Sequence, residues 1–335
     1  MLAADADETS PLHAMTVSII NPSTGQILIR RGDALMDSAG HRFPVLNGVP
    51  RICAASNYAE NFGKQWNIFR ETQIDKRQAG LTLSEEWFFA ATCWPRGGLE
   101  GEDVLEVGSG AGRFSRVVLD HTKANLWSVD YSTAVEANQA NNGAVAPERF
   151  HLFQASIYEM PFPDNSFDKV FCLGVLQHTP DFEQSIASLV RKAKTGGEIV
   201  GDFYCIRGFW TKISAKYLLR PLTRHMPQER LLRTIERHIG WLIKAHQGLT
   251  RVGLGALTRF LPIVDLRTFP PGLTAEQRRE WAVLDTFDIY SPEYDNPQRI
   301  ADVADMFRRS GADVTFAGAI ETVTGPAAVV RAIRW

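Results

Sequence analysis

Cysteine is scarce in this chain. Four cysteines among 335 residues, Cys53, Cys93, Cys172 and Cys205, stand far apart and form no Cys-x-x-Cys pair. That spacing argues against a disulfide framework and against a cysteine-built zinc site, and it suits a reducing compartment. Long apolar runs are lacking too: none reaches the roughly 18 residues of a membrane-spanning helix. The first residues, MLAADADETSPLHAM, have neither the basic start nor the apolar centre of a secretory signal, so a cytoplasmic location is expected. No sign of charge dominates. With 36 Lys and Arg against 38 Asp and Glu the formal net charge is -2, and no nucleic-acid partner is expected. Internal repeats and long low-complexity linkers are also absent. What is present is an ordinary globular balance, 44% hydrophobic and 22% charged, on a chain long enough to bury a substantial core.

Pattern divides the chain into three. Residues 1–57 read as a flexible start and a small β-rich module, with short strands VSIIN, QILIR and HRFPV separated by Gly, Pro and Asn turns. Residues 58–102 read as a helical cap or linker carrying the aromatic stretches FGKQWNIF and EEWFFAATCW. From 103 to 335, strands alternate with helices. Strands are expected at 103–108, 125–130, 150–155 and 167–174, then over EIVGDFY, DVTFAGAIET and AAVVRAIRW. DFEQSIASLVRKAK places Phe182, Ile186, Leu189 and Val190 at helical spacing, with Gly196-Gly197 as its stop. The expected fold is α/β. It comprises a Rossmann-like, seven-stranded, mostly parallel sheet with a terminal antiparallel strand, the N-terminal module, and a helical insertion at about 206–290.

The stretch LEVGSGAGRF (105–114) carries the first chemical signal. Three alternating glycines, Gly108, Gly110 and Gly112, lie between a strand and a helix and let a ligand approach bare backbone. Nicotinamide dinucleotides, nucleoside phosphates and S-adenosylmethionine are all held by such turns. This spacing is G-x-G-x-G, not the G-x-G-x-x-G of a dinucleotide fold, and no Gly-Lys-Ser/Thr follows. Asp130 ends the second strand. It suits a ribose diol in the dinucleotide or the S-adenosylmethionine reading, or it caps the helix that Ser132 begins.

Four further stretches follow in order: VDYS (129–132), PFPDNSFD (161–168), GVLQHTPD (174–181) and KTGGEIV (194–200). Over about 103–203 these residues resemble the class I S-adenosylmethionine-dependent methyltransferases. The resemblance implies an enzyme with S-adenosylmethionine as cofactor. It implies that Gly108, Gly110 and Gly112 pass close to the methionine portion, with Glu106 near the cofactor's ammonium. Asp130 would bind the ribose, Tyr131 would pack on the adenine, and Ser156 and Ile157 would meet the adenine edge. Ser156 stands where such enzymes usually carry Asp, so a hydroxyl replaces a charged acceptor and looser cofactor binding is expected.

His178, in LQHTPD, falls where this fold exposes residues to substrate. Either it is the base that takes a hydroxyl proton, or it hydrogen-bonds a backbone loop. Gln177 precedes it where many similar proteins have a second histidine. The sequence contains no Asn/Asp-Pro-Pro-Tyr/Phe motif, no Pro-Cys pair and no evident metal triad. O-methylation of a small molecule or saccharide is therefore the leading expectation, with no metal. C-methylation of an isoprenoid or aromatic acceptor and a non-catalytic scaffold stand as alternatives.

Substrate choice is expected in the insertion. Residues 206–284 hold 14 Lys and Arg against 5 Asp and Glu. A basic lid of this kind either clamps an anionic substrate, rests on an anionic membrane to reach a lipid-linked one, or presents a solvated face. Tyr290, Tyr294 and Asp288 in LDTFDIYSPEYDNPQ are candidates to close over the pocket, as are Phe62, Gln65 and Trp66 from the cap. At the N-terminal side, GHRFPVLNGVPRI (40–52) resembles the closing strand of a zinc-ribbon-like module that precedes some bacterial methyltransferases, here without the paired cysteines.

Overall fold

Eleven strands form one sheet in the computed structural model, which describes residues 16–54, 57–75, 82–206 and 208–335. The flexible start expected for residues 1–15 lies outside them. Four short strands come first: β1 (Ile29–Arg31), β2 (Ala34–Met36), β3 (Arg42–Leu46) and β4 (Val49–Ile52). Seven follow in the second half of the sheet: β5 (Asp103–Val107), β6 (Asn125–Asp130), β7 (Phe150–Ala155), β8 (Phe167–Cys172), β9 (Ala193–Phe203), β10 (Ala312–Thr322) and β11 (Gly325–Arg334). Their spatial order is β1-β2-β3-β4-β7-β6-β5-β8-β9-β11-β10. The centre, β7 to β9, is parallel, and β11 runs antiparallel between β9 and β10. The seven-stranded α/β sheet expected from the strand–helix alternation is therefore present, but it is not the whole sheet.

The correction concerns the N-terminal strands. They extend the same sheet instead of forming a module of their own, because β4 pairs parallel with β7 through Arg51 opposite Gln154 and Ile52 opposite Ala155. The Arg51 guanidinium reinforces that seam with a hydrogen bond to Gln154 and an ion pair to Glu136. VSIIN is not the strand its composition suggests, and QILIR is one only in part, since Ile29 and Arg30 open β1. Their ladder is a single bridge between Ile20 and Ile27, since the turn around Gly25 closes back onto the Asn21 carbonyl.

Helices cover both faces of the central strands, which is why β5 is buried along its whole length. On one face lie α2 (Leu83–Thr92), α3 (Arg113–His121) and α4 (Val135–Asn142), after α1 (Glu60–Ile68), which packs on α4. Phe88, Phe114, Val118 and Val135 there meet Val104, Leu126 and Phe171 of the sheet. The opposite face holds α5 (Phe182–Lys192), whose Ile186 and Leu189 pack on Leu105 and Val170. The helix ends at Lys192, and β9 begins at once and runs through Gly196 and Gly197, so the glycine pair lies inside the strand and does not stop the helix.

The long interruption after β9 folds into α6 (Ala215–Thr223), α7 (Gln228–Arg251) and α8 (Ala275–Tyr290), before α9 (Ile300–Arg309) returns to the sheet. In α7, Leu231, Ile235, Ile239 and Leu242 form the buried stripe at 3.6-residue spacing. They pack against Ala282, Val283 and Phe287 of α8, a third core separate from the two flanking the sheet. A capping box between Thr274 and Gln277 starts α8. Among the described residues no helix is long and apolar enough to cross a membrane.

Candidate active site

The carboxyl ends of β5, β6, β8 and β9 open into a cavity of about 740 Å³, roofed by α1, α8 and the segments before α6 and α8. Its floor is the glycine turn. Gly108 and Gly110 have φ of 80° and 53°, and both line the cavity. A Cβ on Gly108 would overlap Val175, and one on Gly110 would lie 3.2 Å from the Trp66 indole nitrogen. Gly112 plays a different part. At φ 84° it caps α3 away from the cavity, where a Cβ would overlap the buried amides of Asn138 and Asn142.

Asp130 reaches the same floor. Its Oδ2 accepts from the Gly110 N–H at 2.8 Å, and its Oδ1 accepts from the Ser132 N–H at 2.8 Å and hydroxyl at 2.6 Å. The carboxylate therefore fixes the glycine turn and the start of the following turn together, while still lining the cavity. Burial pushes its pKa up against these hydrogen bonds. Glu106 sits behind the floor and is not on the wall. The Ser115 and Ser128 hydroxyls donate to its Oε2 at 2.5 and 2.6 Å, Oε1 has no hydrogen-bond partner among the described residues, and burial raises its pKa to about 7.

Tyr131 and Ile157 line the cavity; Ser156 does not, its hydroxyl accepting from the Tyr158 N–H at 3.2 Å. The Tyr131 ring lies tilted 5.2 Å from that of Tyr58, which in turn meets Tyr294 edge-on at 5.6 Å. Phe62, Gln65 and Trp66 of α1 are on the wall. Tyr290 and Tyr294 are not: Tyr290 is buried in the α7–α8 core, and Tyr294 acts through its backbone.

His178 lies in the 3-10 turn Leu176–His178 beyond β8, between the Phe62 ring at 5.1 Å and the Tyr204 ring at 5.5 Å. Its Nδ1 is 3.1 Å from the Tyr294 carbonyl. A carbonyl can only accept, so Nδ1 carries the proton and Nε2 the lone pair. Burial lowers the pKa of the ring, more than the nearby Asp288 charge and the Tyr294 carbonyl raise it. The imidazole is neutral near pH 7 and ready to accept a proton.

Three carboxylates on the wall were not singled out by motif, or only loosely. Trp281, Asp285 and Asp288 repeat at i, i+4, i+7 on one face of α8, and all three line the cavity. Asp288 Oδ1 accepts from Gln65 Nε2 at 3.0 Å and Oδ2 from the Tyr204 hydroxyl at 3.3 Å. Burial and the Asp288 charge raise Asp285 to about 7. Asp202, at the end of β9, accepts from the Trp87 indole at 3.2 Å and from the Gly174 N–H, and burial raises it to about 6. Arg113 opposes them, held between the Trp87 and Phe114 rings at 5.0 and 4.3 Å. None of the described Lys or Arg residues of the insertion lines the cavity. Of the three roles open to the insertion's basic charge, clamping an anion in this cavity finds no described Lys or Arg to perform it.

Residues 105–201 match the family model described as a methyltransferase domain. That match covers less than a third of the chain. S-adenosylmethionine is its cofactor. The chain is similar to the tRNA U34 carboxymethyltransferase of Nautilia profundicola, 31% identical over 34% of this chain and 38% of that one. It is also similar to sterol 24-C-methyltransferase erg6 of Aspergillus fumigatus, 32% identical over 29% and 26%. A probable chloroplastic tocopherol O-methyltransferase of Oryza sativa subsp. japonica is 30% identical over 40% and 37%. The match thus spans about a quarter to two fifths of the length of these relatives, and their names differ in the group or atom involved. The cavity fits that cofactor: a bare-backbone turn for close approach, a carboxylate for ribose hydroxyls, and a Ser109 hydroxyl on the wall with no hydrogen-bond partner among the described residues.

Proposed function

We propose that this chain transfers a methyl group from S-adenosylmethionine to a hydroxyl of a small molecule or saccharide, with His178 as the general base. When bound, the cofactor supplies an already activated methyl group, so the chain's task is to position the acceptor, exclude water and take up a proton. Gly108, Gly110 and Asp130 would hold the cofactor, with Tyr131 and Ile157 at its adenine end. The observation that carries the assignment of the base is the Nδ1 contact of His178 with the Tyr294 carbonyl at 3.1 Å. It leaves Nε2 able to take up the proton that the acceptor's hydroxyl gives up.

The wall chemistry supports a hydroxyl-bearing acceptor over an anionic one. Asp202, Asp285 and Asp288 offer acceptor oxygens to hydroxyl donors, and Trp66, Trp87 and Trp281 offer flat apolar faces. An anion placed there would meet buried carboxylates with only Arg113 and Arg70 of the wall to offset them. A mass-spectrometric screen tests the reading. The purified protein and S-adenosylmethionine are incubated with a panel of saccharides, polyols and their phosphorylated counterparts. Methylation of neutral hydroxylated members is expected. Turnover confined to the phosphorylated members, or to carbon or nitrogen acceptors, would overturn it.

A further inference from the structure

The insertion carries an apolar surface that none of the described residues covers. On α6, Leu218 and Leu222 are 68% and 69% exposed. The 3-10 turn Gly255–Phe260, which packs beside α6, and the residues leading into it expose Val252 (69%), Leu257 (47%) and Phe260 (49%). Soluble monomers rarely gather so many large apolar side chains on adjoining elements, and such patches mark a partner. Charge identifies which partner. From Lys212 to Met226 and from Arg237 to Val264 the sequence contains no acidic residue, whereas each stretch contains four Lys or Arg. Lys216 and Arg220 turn inward to Asp295, but Lys212, Arg224, Arg251 and Arg259 are exposed around the apolar side chains. A second copy of this face would oppose like charges. The chemistry left is an apolar interior beneath an anionic surface. The patch also borders the site: Thr211, one residue before Lys212, and Val264, four residues after Phe260, both line the cavity.

We propose that the face formed by α6 and the Gly255–Phe260 turn docks on an anionic lipid bilayer, with Leu218, Leu222, Leu257 and Phe260 in the acyl boundary and the surrounding arginines among the head groups. Docking places the cavity at the membrane surface; that the acceptor there is lipid-borne rests on the methyltransferase reading above.

The test is co-sedimentation of the full chain with phosphatidylcholine vesicles and with vesicles of equal parts phosphatidylcholine and phosphatidylglycerol, alongside S-adenosylhomocysteine binding measured without vesicles. Partition at least about tenfold stronger to the anionic vesicles is expected, weakened by salt. Leu222→Ser with Leu257→Ser, and separately Arg224→Glu with Arg251→Glu, should each abolish most of it while leaving S-adenosylhomocysteine binding unchanged. These positions are exposed, so folding is preserved, and circular dichroism checks that. Equal partition to both vesicle types, variants that partition like the parent, or a dimer broken by the leucine changes in a chain that ignores vesicles would each overturn docking. Vesicle binding by a chain that does not bind S-adenosylhomocysteine would leave docking standing and remove the methyltransferase reading instead.

Discussion

Replacing His178 tests the chemistry of the site separately from its binding. His178→Ala removes the only imidazole on the cavity wall among the described residues, and general-base catalysis typically contributes about 10²–10⁴ in rate. That range corresponds to roughly 3–5 kcal/mol of barrier. The structure also fixes the sign of the pH dependence. Burial lowers the His178 pKa below the usual value of about 6.5, so the base form dominates at pH 7 and above. kcat/KM should fall on the acid side as the ring takes up a proton at a pH below about 6.5, on top of the titration of Asp285 and Asp202 at about 7 and 6 on the same wall. Asp288→Asn removes the neighbouring charge that favours the imidazolium, and it should move that acid limb to still lower pH. The assay is initial rate of S-adenosylhomocysteine formation with an acceptor found in the screen, across pH 5–8. S-adenosylhomocysteine affinity should stay nearly constant in both variants. A His178→Ala enzyme within about twofold of the parent refutes the base assignment.

Gly112→Ala should destabilise the fold by about 1–3 kcal/mol, because the new methyl group would overlap buried Asn138 and Asn142 at a left-handed φ; thermal melting reads this out. Glu106→Gln should act in the opposite direction at high pH. The folded carboxyl titrates at about 7, well above an unfolded glutamate, so its charged form costs stability that is lost progressively as pH rises from about 4.5 to 7. The variant should therefore melt higher than the parent at pH 8, by up to about 3 kcal/mol of stability, and near the parent at pH 4.5; a parent with no such pH slope would contradict the assignment. At pH 8, above the Asp285 pKa of about 7, Asp285→Asn should raise the acceptor KM about tenfold, the worth of one hydrogen bond to a charged group, with cofactor affinity unchanged. Loss of cofactor binding in that variant would place Asp285 with the cofactor instead.

The central sheet was legible because its signals are local. Each of β5 to β8 is a short apolar run closed by Gly, Asp or Asn turns, and α5 shows its apolar stripe at helical spacing. The attachment of β4 was not legible, since its partner β7 lies about 100 residues away and the seam depends on Arg51 finding Gln154 and Glu136. The floor of the site was readable in the same local way from LEVGSGAGRF and VDYS. The wall was not. Helix α8 buries two faces at once, Ala282, Val283 and Phe287 toward α7 and Trp281, Asp285 and Asp288 toward the cavity, so it lacks a clear polar side and its carboxylates look like surface charge. The spacing W-x-x-x-D-x-x-D was the available clue. Asp202 was hidden for a related reason, being one acidic residue at the end of an apolar strand whose meaning depends on Trp87 and Gly174 beside it.

Calorimetric titration of the purified chain with S-adenosylhomocysteine, beside Asp130→Asn, tests the central claim most directly. The account predicts micromolar binding to the parent. It predicts a loss of roughly 10–100-fold in the variant, as ribose hydroxyls and the Gly110 N–H exchange a carboxylate for a neutral amide. No heat of binding from a folded parent, or equal affinity in the two proteins, would contradict it.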